Sequence, residues 1–158
     1  MNKTDLLNQI IEKLQADLTI ASDALKASHE AATHAESKAE NKYDTRGLEA
    51  AYLADGQRRR LYEIETALTH YRNMPVRSQV DEPIKLGALV ALEQTGVDRW
   101  VFIGPDAAGL RVVLAGADVL VISPRSPLGQ ALLGRCAGDG VELQVDGHRR
   151  QYEIVEVR

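Results

Sequence analysis

Apolar residues in the first half of the chain recur at alternating intervals of three and four positions. The first series is Leu7, Ile11, Leu14, Leu18, Ala21 and Leu25, and polar residues fill most of the positions between its members. The second series is Leu61, Ile64, Leu68 and Tyr71, with a less regular upstream extension at Leu48, Ala51 and Tyr52. This heptad spacing predicts two amphipathic helices, each with the narrow apolar stripe of a coiled coil.

Two such stripes shield each other from water when the helices pack together, and a short connection makes neighbouring helices antiparallel. Residues 1–74 are therefore predicted to form an antiparallel coiled-coil hairpin. Its connection, near residues 35–47, is almost wholly polar and forms the tip. With about 30 residues in each arm and about 1.5 Å of rise per residue, the hairpin is roughly 40–45 Å long.

The chain changes character at Met74-Pro75. All five prolines and ten of the twelve glycines lie at or after position 75. Because both residue types disfavour the interior of a helix, the second half is expected to consist mainly of strands and turns. We assign residues 75–83 to a linker and residues 84–158 to a second domain.

Short apolar runs separated by turn residues predict six strands in the second half. They are Leu86–Leu92, Trp100–Ile103, Leu110–Leu114, Val119–Ile122, Val141–Val145 and Gln151–Val157, with a hairpin turn at Asp146-Gly147. One short helix is predicted between Ser126 and Gly134, because serine stands at the cap, proline at the first position and glycine after the end. The expected fold class is α+β, with a mostly antiparallel sheet and one short helix after the hairpin.

Composition narrows the class of protein. Charged residues make up 27% of the chain and the net charge is −4, which argues against a protein that coats nucleic acid through bulk electrostatics. Cys136 is the single cysteine, so no intramolecular disulfide is possible. The beginning of the sequence lacks a secretory pattern, and no apolar run approaches the roughly 20 residues that span a bilayer. We expect a cytoplasmic protein with no membrane partner.

Three segments of the second half resemble the C-terminal domain of the bacterial Gre (GreA/GreB) transcription elongation factors. They are Ser126–Arg135, Gly138–Leu143 and the terminal strand around Tyr152–Val155. The first half is similar to the Gre coiled coil, including Glu40-Asn41 followed closely by Tyr43. The resemblance covers essentially the whole chain in the family's order, and it implies an FKBP-like fold for the C-terminal domain.

The resemblance also implies a mechanism and a partner. Gre factors insert their hairpin into the secondary channel of RNA polymerase, where acidic tip residues help to hold a second Mg²⁺ and a water. The polymerase then cuts the 3′ end of backtracked RNA by two-metal hydrolysis. This implies a regulator with no cofactor of its own, a Mg²⁺ at the polymerase active site and no independent enzymatic activity. A hard cation that keeps several waters suits a factor that offers only one or two carboxylates.

The candidate catalytic residues are the tip carboxylates Glu36, Glu40 and Asp44. The family tip reads Asp-x-x-Glu-Asn-x-x-Tyr. Aligning on Glu40-Asn41 puts Ser37 at the place of the first acid and brings Tyr43 one residue early. Two interpretations stay open: a factor that stimulates RNA cleavage, and a Gre-like inhibitor that only occupies the channel. A tip of solvated acids without a functional role is the simpler alternative.

Two pairs of residues are candidates for partner binding. Ser126 and Pro127 match the family segment that meets the polymerase, although the chemistry of a helix start explains the same two residues. Arg58 and Arg59 are candidates for contact with nascent RNA or the channel wall. Successive arginines point about 100° apart on a helix, so they form no single patch and could equally lie on a solvated helix face.

Two other classes of function compete with this interpretation. A coiled-coil adaptor would dimerise or act as a scaffold through the hairpin, with no role at a polymerase. A prolyl isomerase of the FKBP type is supported only weakly, because such an enzyme needs an aromatic-lined pocket. The second half offers only Trp100 and Phe102, on one predicted strand, and Tyr152, on another.

Overall fold

The computed structural model describes residues 1–38 and 46–158. Three helices are present in these ranges, namely α1 (Lys3–Lys38), α2 (Arg46–Arg72) and α3 (Pro127–Leu132). The strands are β1 (Leu89–Gln94), β2 (Val97–Ile103), β3 (Arg111–Leu114), β4 (Ala117–Ile122), β5 (Gly140–Val145) and β6 (His148–Val157). The α+β class predicted from the sequence is confirmed.

The chain divides into two compact units. One contains Ile11–Thr69, and the other contains Met1–Ile10 together with His70–Arg158. The helical unit therefore takes most of α1 and α2, and the second unit takes the sheet, α3 and the first ten residues. The division predicted from the sequence, into residues 1–74, 75–83 and 84–158, stays a prediction.

The apolar stripes of the helical unit follow the predicted heptads. On α1, Leu14, Ala21 and Ser28 are buried and lie seven residues apart. On α2, Ala54, Ile64 and Leu68 are buried. The described part of this unit consists of these two helices, and each has a buried stripe of the kind that the heptad spacing predicts.

The upstream extension predicted for the second stripe is partly wrong. The side chains of Leu48 and Tyr52 are 54% and 67% exposed. The stripe instead continues from Leu61 through the half-buried Gln57 to the buried Ala54. At 3.6 residues per turn, Leu48 and Tyr52 lie roughly opposite that stripe, so an apolar side chain alone did not identify the buried face.

The sheet unit contains one six-stranded mixed sheet in the order β3-β4-β2-β1-β6-β5. The pair β2·β4 is parallel and the other four pairings are antiparallel. The predicted turn at Asp146-Gly147 is confirmed, with positive φ angles of 52° and 78° at its two residues. Both angles are those of a type I′ turn, whose twist matches that of the flanking strands.

The first strand begins later than predicted. β1 starts at Leu89, and the residues from Leu86 to Ala88 form a turn in which Ala88 N–H donates to Lys85 O at 3.0 Å. Gly87 has a φ of +87°, a conformation that suits glycine and interrupts a strand. A Cβ at this position would also come within 2.9 Å of the Met74 side chain.

The main core of the sheet unit lies between the sheet and α3. It contains buried side chains from β1, β2 and β6, with Leu132 contributed by α3 and Ile84 by the segment before β1. Ile84 is tied to the end of α3 by two backbone hydrogen bonds: its N–H donates to Arg135 O, and its C=O accepts from Gly134 N–H, each at 2.8 Å. The segment after α2 is thereby anchored within the unit.

The end of α2 is fixed to the loop that follows β2. The buried Tyr71 hydroxyl donates to Asp106 O at 2.7 Å, and the His70 ring pairs with the Asp106 carboxylate. Burial and the nearby Asp106 charge raise the pKa of Tyr71 well above its usual range. Gly104 leaves room for this contact, because a Cβ there would lie 2.2 Å from the Tyr71 hydroxyl oxygen.

Candidate partner-binding site

The turn Ser123–Pro127 leads into α3 and contains the two candidate docking residues. The Ser126 hydroxyl accepts a hydrogen bond from Gly129 N–H at 3.1 Å and donates one to Ser123 O at 2.7 Å. Ser126 is the N-cap of α3, and Pro127 occupies the first helical turn. The helix start predicted from the sequence is confirmed.

The same contacts define what this turn can offer a partner. The Ser126 hydroxyl both donates and accepts a hydrogen bond within the turn, and these two bonds fix the backbone there. Arg125 and Pro127, on either side of it, are exposed. The turn therefore presents one guanidinium and one rigid ring from a backbone that is already ordered, which lowers the entropic cost of binding.

Glycine is required at position 129 for the helix to approach the turn. A Cβ there would lie 2.1 Å from Ser123 O and 3.1 Å from Pro124 Cα. Leu128 is half-buried and packs against the core. Serine, proline, leucine and glycine in Ser126–Gly129 thus each have a structural role, which the spacing in the sequence shows only for the first two.

A groove of about 500 Å³ lies beside α3. Its apolar lining includes Leu92, Val101, Leu120 and Leu128. Its exposed charged side chains are Asp98, Arg99, Arg111 and Asp118, two of each sign. Sequence analysis missed this groove because its residues come from six elements, and no single stretch of the chain carries its pattern.

The arginines of α2 differ in their surroundings. Arg58 pairs with Asp55 on the same helix, with 2.7 Å between Arg58 Nη1 and Asp55 Oδ1. Arg60 Nη1 lies 3.9 Å from Glu63 Oε2. Among the residues that the structure describes, Arg59 has no acidic partner within ion-pair distance. At 100° per residue it shares the outward face of α2 with Tyr52, so Arg59 is the better placed of the two candidates for an external contact.

The structure gives no side-chain geometry for the three candidate tip acids. Glu36 falls near the end of α1, but of this residue only the backbone is described, and Glu40 and Asp44 lie outside the described residues. Within residues 1–38 and 46–158, no group of three or more His, Cys, Asp or Glu side chains could hold a metal ion. Nor does any helix in those ranges have the length and apolarity to cross a bilayer.

Comparison with known proteins gives the family. The family model for the C-terminal domain of the transcription elongation factors GreA and GreB matches residues 81–158. The chain is 31% identical to transcription elongation factor GreA of Halorhodospira halophila and 29% identical to that of Methylococcus capsulatus. Each of these alignments covers 100% of this chain and 99% of the relative.

Among solved structures, GreA factor homolog 1 of Thermus thermophilus is 24% identical and has a TM-score of 0.39. That match covers 94% of each chain. The class of protein follows from the full-length sequence match to GreA, and it is that of a transcription elongation factor of the Gre type. The chain belongs to the GreA/GreB family.

Proposed function

We propose that this protein binds RNA polymerase and regulates elongation by placing its helical hairpin in the secondary channel. Family membership over the entire length of the chain is the observation that carries this proposal. Within the proposal, the C-terminal domain is FKBP-like and serves as the docking domain, and the protein acts in the cytoplasm, where its partner works. The lengths of the first and second helices, 36 and 27 residues, support this proposal.

Docking is assigned to the turn Ser123–Pro127. Arg125 and Pro127 supply the contact, and the Ser126 cap holds them in place. Charge reversal at an exposed arginine should weaken binding if that arginine meets an acidic surface of the polymerase. We expect Arg125→Glu and Pro127→Asp to weaken binding to purified RNA polymerase.

The matched control for docking is Arg150→Glu, which reverses an exposed charge on β6 of the same unit. Binding is measured by fluorescence anisotropy of the labelled full chain. Equal affinity of the parent, Arg125→Glu and Pro127→Asp would place the docking surface elsewhere.

The tip is assigned a role at the polymerase's active centre. Glu36, Glu40 and Asp44 are the carboxylates available there, and we propose that they share a Mg²⁺ that the polymerase binds. When bound, that ion lowers the pKa of a water and stabilises the charge that develops on the phosphate. The chain's contribution is limited to oxygen ligands and to the position of the water, so the protein needs no metal site of its own.

A cleavage assay on a stalled, backtracked elongation complex tests the tip. If the protein stimulates cleavage, Glu40→Ala and Asp44→Ala should abolish most of the stimulation, and Glu36→Ala should reduce it. The control is Glu30→Ala, which removes an exposed carboxylate of α1 away from the tip. Stimulation that survives in the Glu40→Ala Asp44→Ala double variant would contradict the assignment.

The second candidate function is inhibition by occupying the channel. The observation that favours it is the displacement of the tip acids from the family spacing, with Ser37 at the place of the first acid. An inhibitor would slow both elongation and intrinsic cleavage in the same assay, and tip variants would leave that effect unchanged. The direction of the effect of the parent protein on cleavage separates the two functions.

Contact with nascent RNA is assigned to Arg59 and, to a smaller extent, Arg58. Because Arg58 already pairs with Asp55, its charge is partly compensated, whereas Arg59 is available to a phosphate. Arg59→Glu should reduce crosslinking of the protein to backtracked RNA more than Arg58→Glu does. Lys26→Glu on the exposed side of α1 is the control, and equal crosslinking in all three variants would exclude an RNA contact here.

A further inference from the structure

A cavity of about 510 Å³ lies where the start of α1, the segment after α2 and the end of β6 meet. Its lining includes the charged residues Lys3, Arg77, Arg158 and Glu156 and the apolar residues Val76 and Val80. All of these residues belong to the sheet unit. The side chains bring three positive charges and one negative charge to a protein whose overall charge is −4.

Of the three cations, only Arg158 makes an ion pair with an acid of the described residues, although the charge of Glu82 acts on both Lys3 and Arg77. The Arg158 guanidinium pairs with Glu156, the only carboxylate of the lining. Glu82 is the acid whose charge raises the pKa of Lys3. Its carboxylate pairs with Lys85, with 2.5 Å between Glu82 Oε2 and Lys85 Nζ. Considering only acids in the described parts of the chain, neither Lys3 nor Arg77 has one within ion-pair distance.

The half-buried Lys3 ammonium is poorly neutralised in this setting. Its Nζ donates to the carbonyl oxygen of Arg77 at 2.6 Å, which is a neutral acceptor. Burial lowers the pKa of Lys3 to about 8, and the charge of Lys85 adds to this, whereas Glu82 acts in the opposite direction. An anion in the cavity would stabilise the charged form, so the site is electrostatically prepared for one.

The backbone at the start of α1 is partly satisfied without a ligand. Thr4 N–H donates to the Asn2 side-chain oxygen at 2.9 Å, and Leu6 N–H donates to Asn2 O at 3.1 Å. Binding at this cavity would therefore depend on the side chains of Lys3 and Arg77. Lys3 and Arg77 both line the cavity, and an ammonium and a guanidinium each donate charge-assisted hydrogen bonds to a phosphate.

We propose that this cavity binds a phosphate-bearing small molecule, with its phosphate held by Lys3 and Arg77 and its less polar part against Val76 and Val80. The volume falls within the range of small-molecule sites in proteins, roughly 300–1,000 Å³. The negative charge of Glu156 would repel a bound phosphate, and the ion pair of Glu156 with Arg158 reduces this repulsion. The proposal concerns a site in the sheet unit and is independent of the tip and of the docking turn.

The test is a ¹H–¹⁵N NMR titration of the full chain, with no residues added before Met1. The probes are sodium pyrophosphate and AMP, and the reference is sodium chloride at matched ionic strength. Saturable shifts are expected at the amides of Lys3, Arg77 and Val80 with the phosphate probes and not with chloride. The pKa of Lys3, followed at its ε-carbon, should rise on saturation, because the ligand binds the ammonium form more tightly.

Two variants make the outcome decisive. Arg77→Gln removes an exposed guanidinium that makes no ion pair with the described acids, so folding should be preserved, and Lys3→Met keeps the aliphatic stem. Each should weaken pyrophosphate binding by roughly tenfold or more, the effect of losing one hydrogen bond to a charged group. Lys26→Gln, on an exposed position of α1, is the matched control and should bind as the parent does.

Three results with the phosphate probes and the site variants would overturn the proposal, and a fourth comes from the control variant. They are non-saturating shifts up to the solubility limit of the probes, equal shifts with chloride, and unchanged affinity in both Arg77→Gln and Lys3→Met. Tighter binding of AMP than of pyrophosphate would support the part assigned to Val76 and Val80. An equal loss of affinity in Lys26→Gln would indicate attraction by the protein's general field and would also overturn it.

Discussion

At the scale of single residues, Gly104 shows how one missing side chain permits a set of contacts. The space that its Cβ would fill is occupied by the Tyr71 hydroxyl, at 2.2 Å, and by Val121 Cγ1, at 2.8 Å. Tyr71 in turn donates to Asp106 O. No pattern in the sequence links positions 71, 104 and 106, because the three meet only through the fold.

Gly104→Ala should therefore destabilise the protein by about 1–3 kcal/mol, the usual cost of overpacking a buried site. The free energy of unfolding is measured by urea denaturation. The matched control is Gly56→Ala: this helical glycine has nothing within 4 Å of an added Cβ, and the change should stabilise the protein by about 0.5–1 kcal/mol. A Gly104→Ala variant as stable as Gly56→Ala would show that Tyr71 moves aside without cost.

The burial of Lys3 predicts a dependence of stability on pH. The folded pKa of about 8 lies below the ordinary value of 10.5, so between these values the unfolded chain holds more protons than the folded one. The free energy of unfolding of the parent should rise with pH across this window, relative to that of Lys3→Met. Below about pH 8 the difference in the free energy of unfolding between the parent and Lys3→Met should be constant.

Urea denaturation of the parent and of Lys3→Met at about pH 7 and about pH 9.5 measures this effect. Taking the difference between the two proteins cancels the titration of other groups, including that of Tyr71. A difference that is the same at both pH values would mean that Lys3 keeps an ordinary pKa in the folded protein.

At the scale of secondary-structure elements, patterns of neighbouring residues in the sequence predicted the buried faces of the long helices and the start of α3. The heptads predicted the buried stripes at Leu14, Ala21, Ile64 and Leu68, and cap chemistry predicted α3. The parallel pairing of β2 with β4 could not be read in the same way, because it depends on which strands meet after the chain folds. The groove beside α3 and the cavity at Lys3 were missed for the same reason, since each collects residues from distant parts of the sequence.

The cap of α3 is an element-scale feature with a measurable contribution. Ser126→Ala removes the hydroxyl that accepts from Gly129 N–H and donates to Ser123 O. The expected loss of stability is about 1 kcal/mol, the typical value for an N-cap. Arg125→Ala is the control, because it shortens the neighbouring exposed side chain and leaves the cap intact.

The same two variants separate positioning from contact at the docking turn. If Arg125 touches the polymerase and Ser126 only holds the turn, Arg125→Ala should weaken polymerase binding without changing stability. Ser126→Ala should change both. A loss of stability in Arg125→Ala equal to that in Ser126→Ala would remove the basis for this distinction.

At the scale of the whole molecule, the first ten residues belong with the sheet and not with the rest of their helix. Leu6 is fully buried in the sheet unit, and Leu14, two turns further along α1, is buried in the helical unit. Trp100 on β2 is the only tryptophan, so its fluorescence reports on the sheet unit. Far-UV circular dichroism at 222 nm is dominated by the two long helices.

If the two units also unfold separately, Leu6→Ala should lower the midpoint of the unfolding transition measured by Trp100 fluorescence. The loss expected for a buried Leu→Ala change is about 2–5 kcal/mol. Leu14→Ala should mainly lower the midpoint measured by circular dichroism at 222 nm. Ile20→Ala changes a side chain that is 67% exposed, so the free energy of unfolding from either signal should change by no more than about 0.5 kcal/mol. If Leu6→Ala and Leu14→Ala shifted both signals by the same amount, the molecule would unfold as one cooperative unit. The sheet unit and the hairpin would then share one free energy of unfolding, and a variant in the proposed docking domain would also destabilise the hairpin.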